Sequence, residues 1–255
     1  MSTVETDAES QVFRMQIEAG TFDTFLGAIA EVVDESTFEV SPDGIHVTAV
    51  GPAQIKMIDT TLEPDACASY TGRNVRFGAN IGRLQEVADL SKPSDTLSVE
   101  LDTETRRLSI SGDGFDADVA LINPDSIRDS DIPELDLCCR CVTEVDELER
   151  IADGSDLMSD HLAFETDGDE LIAIAEGDID SITFSRSSDG DGGLIEAEFS
   201  REIRSVFNLT EFQSVIGPMV SPVEMELDDE MPLVLRSELP SGPARTLIAP
   251  RIESE

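Results

Sequence analysis

Residues 34–51 (DESTFEVSPDGIHVTAVG) resemble residues 160–177 (DHLAFETDGDELIAIAEG), which lie 126 positions further along the chain. The same ungapped shift aligns identical residues outside this stretch: Arg14 with Arg140, Glu18 with Glu144, Glu100-Leu101-Asp102 with Glu226-Leu227-Asp228, and Glu104 with Glu230. One constant offset that holds across about ninety positions indicates a duplication. The sequence therefore predicts two copies of one unit, over residues 13–121 and 138–255.

The periodicity of the apolar residues predicts the elements of each copy. Helical spacing predicts one helix over 22–33, with Thr21 as its N-cap, and further helices over 81–90, 145–157 and 209–216. Apolar alternation predicts strands over 44–50, 56–62, 96–101 and 107–111, and residues 41–44 and 102–105 have the composition of hairpin turns. We expect an α+β fold with two helices per copy on one face of antiparallel sheets.

Three segments lie outside the repeat. Residues 1–12 are polar and acidic, and we expect a mobile tail. Residues 122–137 contain two prolines and several aspartates without any period, so they are interpreted as a connector between the copies. Residues 187–193 (SSDGDGG) are interpreted as a hairpin tip, because the position where a calcium loop requires glutamate is Ser200.

The charge of the chain is strongly negative and spread along its length. Its 255 residues include 55 Asp and Glu against 17 Lys and Arg, a formal charge of −38, and only Lys56 and Lys92 are lysines. Such a chain repels itself at low ionic strength, and about 1 M salt shortens the screening length to about 3 Å. The composition favours a protein adapted to concentrated salt over an acidic mimic of nucleic acid, whose charge is usually confined to one face.

Composition also limits the class and the location of the protein. With 40% hydrophobic residues the chain has enough apolar residues for a core, and no apolar run is long enough to span a membrane. The start lacks the features of a signal peptide, and four cysteines are too few and too clustered for a disulfide framework. We expect an intracellular protein without membrane contact, in a high-salt archaeal cytoplasm or of viral origin and acting there.

Signatures of catalysis are missing from the sequence. No P-loop, GxGxxG, HExxH or GxSxG motif occurs, and His46 and His161 have no nearby Ser or Cys nucleophile. Cys138, Cys139 and Cys141 lack the spacing of a zinc site and are interpreted as small strand residues. The absence of Trp and the single Tyr also disfavour base stacking on single strands. We predict a protein that is not an enzyme and uses neither cofactor nor metal.

Five segments of the sequence are distinctive: GIHVTAVGPAQIKMIDTTL (44–62), FGANIGRLQEV (77–87), SDIPELDL (130–137), DEMPLVL (229–235) and LIAPRIES (247–254). They resemble segments of the sliding clamps of archaea and eukaryotes, the proliferating cell nuclear antigen family. The resemblance implies two tandem clamp domains with sheets outside and helices inside, and a head-to-tail homotrimeric ring around duplex DNA. It also implies partners that bind through short peptide motifs, namely DNA polymerase, the clamp loader, ligase and nucleases.

The resemblance also implies where the subunits and the partner peptides bind. Subunits of the family join by pairing of two edge strands, which here correspond to Phe115, Asp116, Ala117, Asp118, Val119, Ala120 and Leu121, and to Ile179, Asp180, Ser181, Ile182, Thr183, Phe184, Ser185 and Arg186. Partner peptides insert a glutamine and apolar anchors into a pocket, which corresponds to Val50, Gln54, Ile132, Pro133, Pro232, Leu247, Ala249 and Pro250. Leu247 replaces an aromatic residue that the family often has.

The helices that face DNA in the family depart from its pattern here. Arg150 and Arg83 are the candidate DNA-facing cations, whereas Glu86, Asp89 and Asp153 stand where basic residues are expected. Phosphate contacts contribute little in concentrated salt, so a salt-adapted clamp tolerates a nearly neutral or acidic surface around the DNA. Two hypotheses remain open at this point: a processivity clamp on DNA, and a clamp-fold protein that sequesters clamp partners or joins a heteromeric ring without encircling DNA itself.

Overall fold

The computed structural model describes residues 12–128, 131–187 and 193–251 of the chain. Most of the tail predicted over 1–12 and of the loop predicted over 187–193 lies outside the described residues. By their contacts the described residues form two compact units, unit 1 within 1–49, 59–131 and 240–243, and unit 2 within 50–58, 132–239 and 244–255.

The first copy of the repeat contains nine strands and two helices. In chain order they are β1 (Phe13–Glu18), α1 (Ala19–Ala30), β2 (Glu35–Ser41), β3 (Gly44–Val50), β4 (Lys56–Leu62), β5 (Cys67–Gly72), β6 (Val75–Asn80), α2 (Ile81–Ala88), β7 (Thr96–Asp102), β8 (Arg107–Gly112) and β9 (Phe115–Ala120).

The second copy repeats this order. Its elements are β10 (Cys139–Thr143), α3 (Val145–Asp156), β11 (His161–Thr166), β12 (Glu170–Glu176), β13 (Ser181–Ser187), β14 (Leu194–Phe199), β15 (Ile203–Asn208), α4 (Leu209–Ile216), β16 (Val223–Leu227), β17 (Leu233–Leu239) and β18 (Gly242–Ile248).

The two copies also share one strand order. The first copy has strands in the orders β5-β1-β7-β8-β9 and β4-β3-β2-β6, and the second has β14-β10-β16-β17-β18 and β13-β12-β11-β15. Each strand of one copy corresponds to the strand nine places later in the other, and helices α1 and α3 start and end 126 positions apart. The predicted duplication and the α+β fold class are confirmed.

Each copy has its own hydrophobic core between its helices and its sheets. In the first copy Phe22, Phe25 and Leu26 of α1 pack with strand residues, and the Phe38 ring stacks on Phe77 with centroids 5.2 Å apart. In the second copy Phe164, which is equivalent to Phe38, packs edge-on against Phe212 of α4 at 5.5 Å. The apolar stripes read from the sequence therefore mark the buried helix faces.

The predicted start of the first helix was wrong. Helix α1 begins at Ala19, and Thr21 lies inside it rather than at its cap. The backbone N–H groups of Ala19 and Gly20 donate to the carbonyls of Asp95 (2.9 Å) and Pro93 (2.8 Å). Because a distant loop satisfies these donors, the helix extends by one turn without a side-chain cap.

The starts of α2 and α4 and the β7–β8 hairpin follow local signals. Asn80 and Asn208 are the N-caps of α2 and α4, and each side-chain oxygen accepts the backbone N–H three residues later. In the β7–β8 turn, Asp102 accepts from the backbone N–H groups of Glu104 and Thr105 at 2.9 and 3.0 Å. Hydrogen bonds from Thr105 and Glu104 hold the pKa of Asp102 below its ordinary value.

Replacement of Phe38 by alanine is expected to lower the free energy of unfolding by about 3–5 kcal/mol, because it leaves a cavity between Phe25 and Phe77. The measurement is urea-induced unfolding in about 2 M KCl, where surface repulsion is screened. Leu90→Ala is the control, since Leu90 is 65% exposed, and should change stability by less than about 0.5 kcal/mol. Equal effects of the two substitutions would contradict the assignment of the core.

Candidate partner-binding site

A protruding loop, residues 51–55, joins β3 to β4. The Gly51 N–H donates to the Lys56 carbonyl at 2.9 Å, and the Gln54 N–H donates to the Gly51 carbonyl at 3.1 Å. Ala53 and Gln54 both have left-handed backbone conformations, with φ of 58° and 59°, which cost non-glycine residues about 1–2 kcal/mol each. The loop is therefore held in one shape, with Gln54 and Ile55 exposed to solvent.

Three contacts within unit 2 hold the end of this loop. The Lys56 ammonium lies 2.8 Å from Glu211 Oε2 and donates to Ser214 Oγ at 2.9 Å, so β4 is tied to α4. Lys56 is only 15% exposed. The Ala249 N–H donates to the Ile55 carbonyl at 2.8 Å. The loop thus lies directly beside the segment that follows β18.

The second half of the connector, residues 131–137, contacts β18. Ile132 is half-buried and Pro133 is exposed. The Pro133 carbonyl accepts a hydrogen bond at 3.1 Å from Nη2 of Arg245. This contact places the connector against the strand that also carries Leu247. Residues 129 and 130, including the Ser130 of the family phrase, lie outside the described residues.

The remaining predicted pocket residues lie near the chain end. Leu247 is 2% exposed in β18, whereas Ala249 and Pro250 are half-buried after it. Pro232 is half-buried and precedes β17, which is the neighbour of β18. All eight predicted pocket residues thus belong to unit 2. One hydrogen bond joins the 51–55 loop to the segment after β18, and another joins the connector to β18 itself.

Sequence reasoning missed Lys56, Arg245 and a cavity beside Arg251. This cavity, of about 190 Å³, is lined by Ser159, His161, Ala163, Ile174, Glu176, Arg204, Val206 and Arg251. The Arg251 N–H donates to the Val206 carbonyl at 2.7 Å, and its guanidinium contacts His161 Nε2. The only sequence signal for Lys56 was that it is one of two lysines.

The two predicted interface strands lie at sheet edges. Strand β9 pairs with β8, and β13 pairs with β12, each on one side only among the described residues. The predicted bounds differ slightly, because β9 ends at Ala120 and β13 starts at Ser181. Ile179 and Asp180 were wrongly placed in the strand, since the Gly177 N–H donates to the Asp180 carbonyl and closes a turn in which Ile179 is 94% exposed.

Comparison with known proteins agrees with this architecture. Residues 13–114 match the family described as the proliferating cell nuclear antigen, N-terminal domain. The chain is 34% identical over 251 residues to a DNA polymerase sliding clamp of Haloarcula marismortui, which covers 96% of this chain and 100% of the relative. It is 34% identical over 250 residues to one of Halobacterium salinarum, with 95% and 100% covered. The chain belongs to the sliding clamp family.

A solved clamp structure shows the same fold. The structure described as the C-terminal region of FEN-1 bound to A. fulgidus PCNA is 26% identical, with a TM-score of 0.88, and the match covers 95% of this chain and 100% of that one. The function of the chain is accordingly that of a DNA sliding clamp, and its relatives include clamps of halophilic archaea. No helix in the described part of the clamp is long and apolar enough to cross a membrane.

Both candidate DNA-facing arginines of the clamp are paired on their own helices. Arg83 Nη1 lies 2.7 Å from Glu86 Oε2, and Arg150 Nε lies 3.4 Å from Glu147 Oε2. The Arg150 guanidinium also lies over the Phe184 ring, 5.5 Å from its centroid. Helix α3 carries five carboxylates against this one arginine. The helices therefore present little uncompensated positive charge.

The cysteines of the clamp are structural. Cys139 and Cys141 point into the core from β10, as predicted for strand residues, whereas Cys138, which was predicted as a strand residue too, precedes β10. Burial raises the pKa of Cys141 to about 12 and that of Cys67 to about 11. These two thiols stay protonated at neutral pH, so they are neither good nucleophiles nor good metal ligands.

Replacement of Lys56 by methionine is expected to lower the free energy of unfolding by about 1–3 kcal/mol, because Glu211 loses its partner in a half-buried position. Lys92→Met is the matched control at the exposed second lysine, and should change stability by less than about 0.5 kcal/mol. Both variants are unfolded with urea in about 2 M KCl. A Lys56→Met protein as stable as the control would show that this ion pair does not hold the strand to the helix.

Proposed function

We propose that three copies of this clamp close head to tail into a ring that encircles duplex DNA. In this proposal, residues 13–121 and 138–255 are the two clamp domains, 122–137 is the connector and 1–12 is a tail. The observation that carries it is the repeated topology, because β9 and β13 each leave one edge unpaired among the described residues. A cyclic assembly removes such edges without leaving new ones.

The repeat also suggests how the two edges meet. Within unit 2, the residue after β18 donates its N–H to the residue before β4, as Ala249 does to Ile55. Strands β9 and β13 are the repeat equivalents of β18 and β4. By analogy with β18 and β4, which are neighbours in one sheet, β9 of one copy is expected to lie beside β13 of a neighbouring copy. Strand residues Phe115–Ala120 and Ser181–Arg186 then pair as antiparallel edges.

The ring in this proposal retains DNA by topology rather than by phosphate contacts. The paired states of Arg83 and Arg150 leave the helices with few free cations. At molar salt, phosphate contacts contribute little to affinity in any case. The acidic helices would repel the DNA phosphates in dilute buffer, but molar salt screens this repulsion.

The eight pocket residues of unit 2 are proposed to bind short peptides of DNA polymerase, the clamp loader, ligase and nucleases. Exposed Gln54 and Ile55, half-buried Ala249 and Pro250, and the connector form an apolar surface with a few polar groups, which suits capture of a glutamine and apolar anchors. One related clamp structure contains the C-terminal region of FEN-1. The proposed role involves no catalysis, cofactor or metal, and it is exercised on DNA inside the cell.

Ring closure predicts a mass of 82.8 kDa, three times the 27.6 kDa of one chain, by light scattering in about 2 M KCl. Loaded on nicked circular DNA by its clamp loader, the ring should be retained and should leave when the circle is linearised. Arg83→Gln should be retained equally long, because phosphate contacts contribute little at this salt concentration and Arg83 is already paired with Glu86.

A monomer at every salt concentration would contradict the proposal of an encircling ring. Equal loss of the protein from circular and linear DNA would contradict it as well. A shorter residence of the Arg83→Gln protein would show that phosphate contacts matter.

Substitution of Ala249 by glutamate is expected to weaken binding of a peptide with a glutamine and two aromatic anchors by about tenfold or more, because it adds a charge to an apolar surface. The measurement is fluorescence anisotropy of the labelled peptide. Ala68→Glu, at an exposed position of β5, is the matched control and should bind like the parent. If the parent chain binds no such peptide, the pocket assignment is wrong.

A further inference from the structure

Arg245 in β18 is a buried cation whose hydrogen bonds are incomplete. Its side chain is 13% exposed, and Nη2 donates to the Pro133 carbonyl at 3.1 Å. Nη1 lies 3.9 Å from Glu134, which is 96% exposed. Nε is buried and has no hydrogen-bond partner among the described residues. The guanidinium is thus directed at the connector while one of its donors remains unsatisfied.

Stability alone does not account for an arginine at this position. A buried donor without a partner destabilises the folded state. The ion pair to Glu134 is at the distance limit and open to solvent, so it contributes little and still less in salt. An apolar side chain of similar length would fill the same space without an unsatisfied group. The one well-formed contact that distinguishes the arginine is the hydrogen bond to the connector backbone.

The position of Arg245 relates this contact to the pocket. Residues two apart in a strand point to the same face of a sheet, so Arg245 shares a face of β18 with Leu247. The carbonyl that it binds belongs to Pro133, a predicted pocket residue next to Ile132. This hydrogen bond therefore links β18, the strand that carries the buried pocket residue Leu247, to the connector.

We propose that Arg245 is a positioning residue. It holds residues 131–137 of the connector beside β18, in the shape that partner peptides bind. The inference rests on the proposed peptide-binding function of the pocket. A hydrogen bond from a buried guanidinium to a backbone carbonyl is screened far less by salt than an exposed ion pair. The connector is thereby kept in place at molar salt, where a connector held by surface charges would be released.

The test compares three variants in about 0.5 and 3 M KCl. Arg245→Met removes the donors and keeps an unbranched stem, Arg245→Lys keeps one donor, and Glu134→Gln removes only the exposed carboxylate. Amide hydrogen exchange of residues 134–137 is measured without peptide, and the peptide affinity and the urea midpoint are measured separately.

Arg245→Met is expected to exchange the connector amides about tenfold faster and to bind peptide about tenfold more weakly, at both salt concentrations, with an unchanged urea midpoint. Arg245→Lys should restore both values to within about threefold of the parent, because an ammonium also donates to a carbonyl. Glu134→Gln should match the parent in all three measurements.

Two results would overturn the role of Arg245. One is connector exchange in Arg245→Met that equals the parent's. The other is faster exchange throughout unit 2 together with a lower urea midpoint, which would indicate a merely structural residue. A parent chain that binds no peptide would refute the pocket instead, and the connector exchange would still decide whether Arg245 anchors this segment.

Discussion

Burial of one face of each sheet under a pair of helices is the constraint on which the fold depends. In the first copy, α1 and α2 supply Phe22, Phe25, Leu84 and Val87 to a core that the strands complete. In the second copy, α3 and α4 supply the equivalent stripes. The 55 acidic residues of the chain outnumber its 17 basic ones and repel one another, so the apolar cores must supply most of the driving force for folding. The two copies therefore share the pattern of apolar residues at core positions, whereas exposed positions are free to become acidic.

The arginines of the second copy are arranged to neutralise carboxylates rather than to attract a polyanion. On the face formed by β10, β16 and β17, Arg140 contacts Glu224, and Arg236 lies 3.2 Å from Glu226. Near α3, Glu147 accepts from Arg186 Nε at 2.7 Å and also pairs with Arg150. The pairs on the sheet face are partly exposed and contribute little to stability in salt, whereas Arg186 and Glu147 are only 11% and 16% exposed, so salt screens them less. The common consequence of these pairs is local neutrality in a very acidic chain.

Local signals in the sequence were sufficient for the fold but not for the site. The bounds predicted for α4 from helical spacing, 209–216, match the structure, in which Asn208 caps the helix. The start of α1 was not predicted correctly, because its first backbone N–H groups donate to the carbonyls of Pro93 and Asp95, far along the chain. The contacts of Lys56 with α4, and of Arg245 with the connector, join residues more than 100 positions apart. No periodicity within a window encodes such pairs, so only the folded chain reveals them.

The acidic helices are compatible with a clamp once salt and topology are considered together. Three subunits of −38 each would carry −114, and in dilute buffer that charge would repel DNA. At about 1 M salt the screening length is about 3 Å, shorter than the separation expected between helix surface and phosphate. Repulsion and attraction are then both weak, and there is no electrostatic reason to keep lysines on the inner face of the proposed ring. A closed ring does not need them, because a linked circle cannot dissociate without opening.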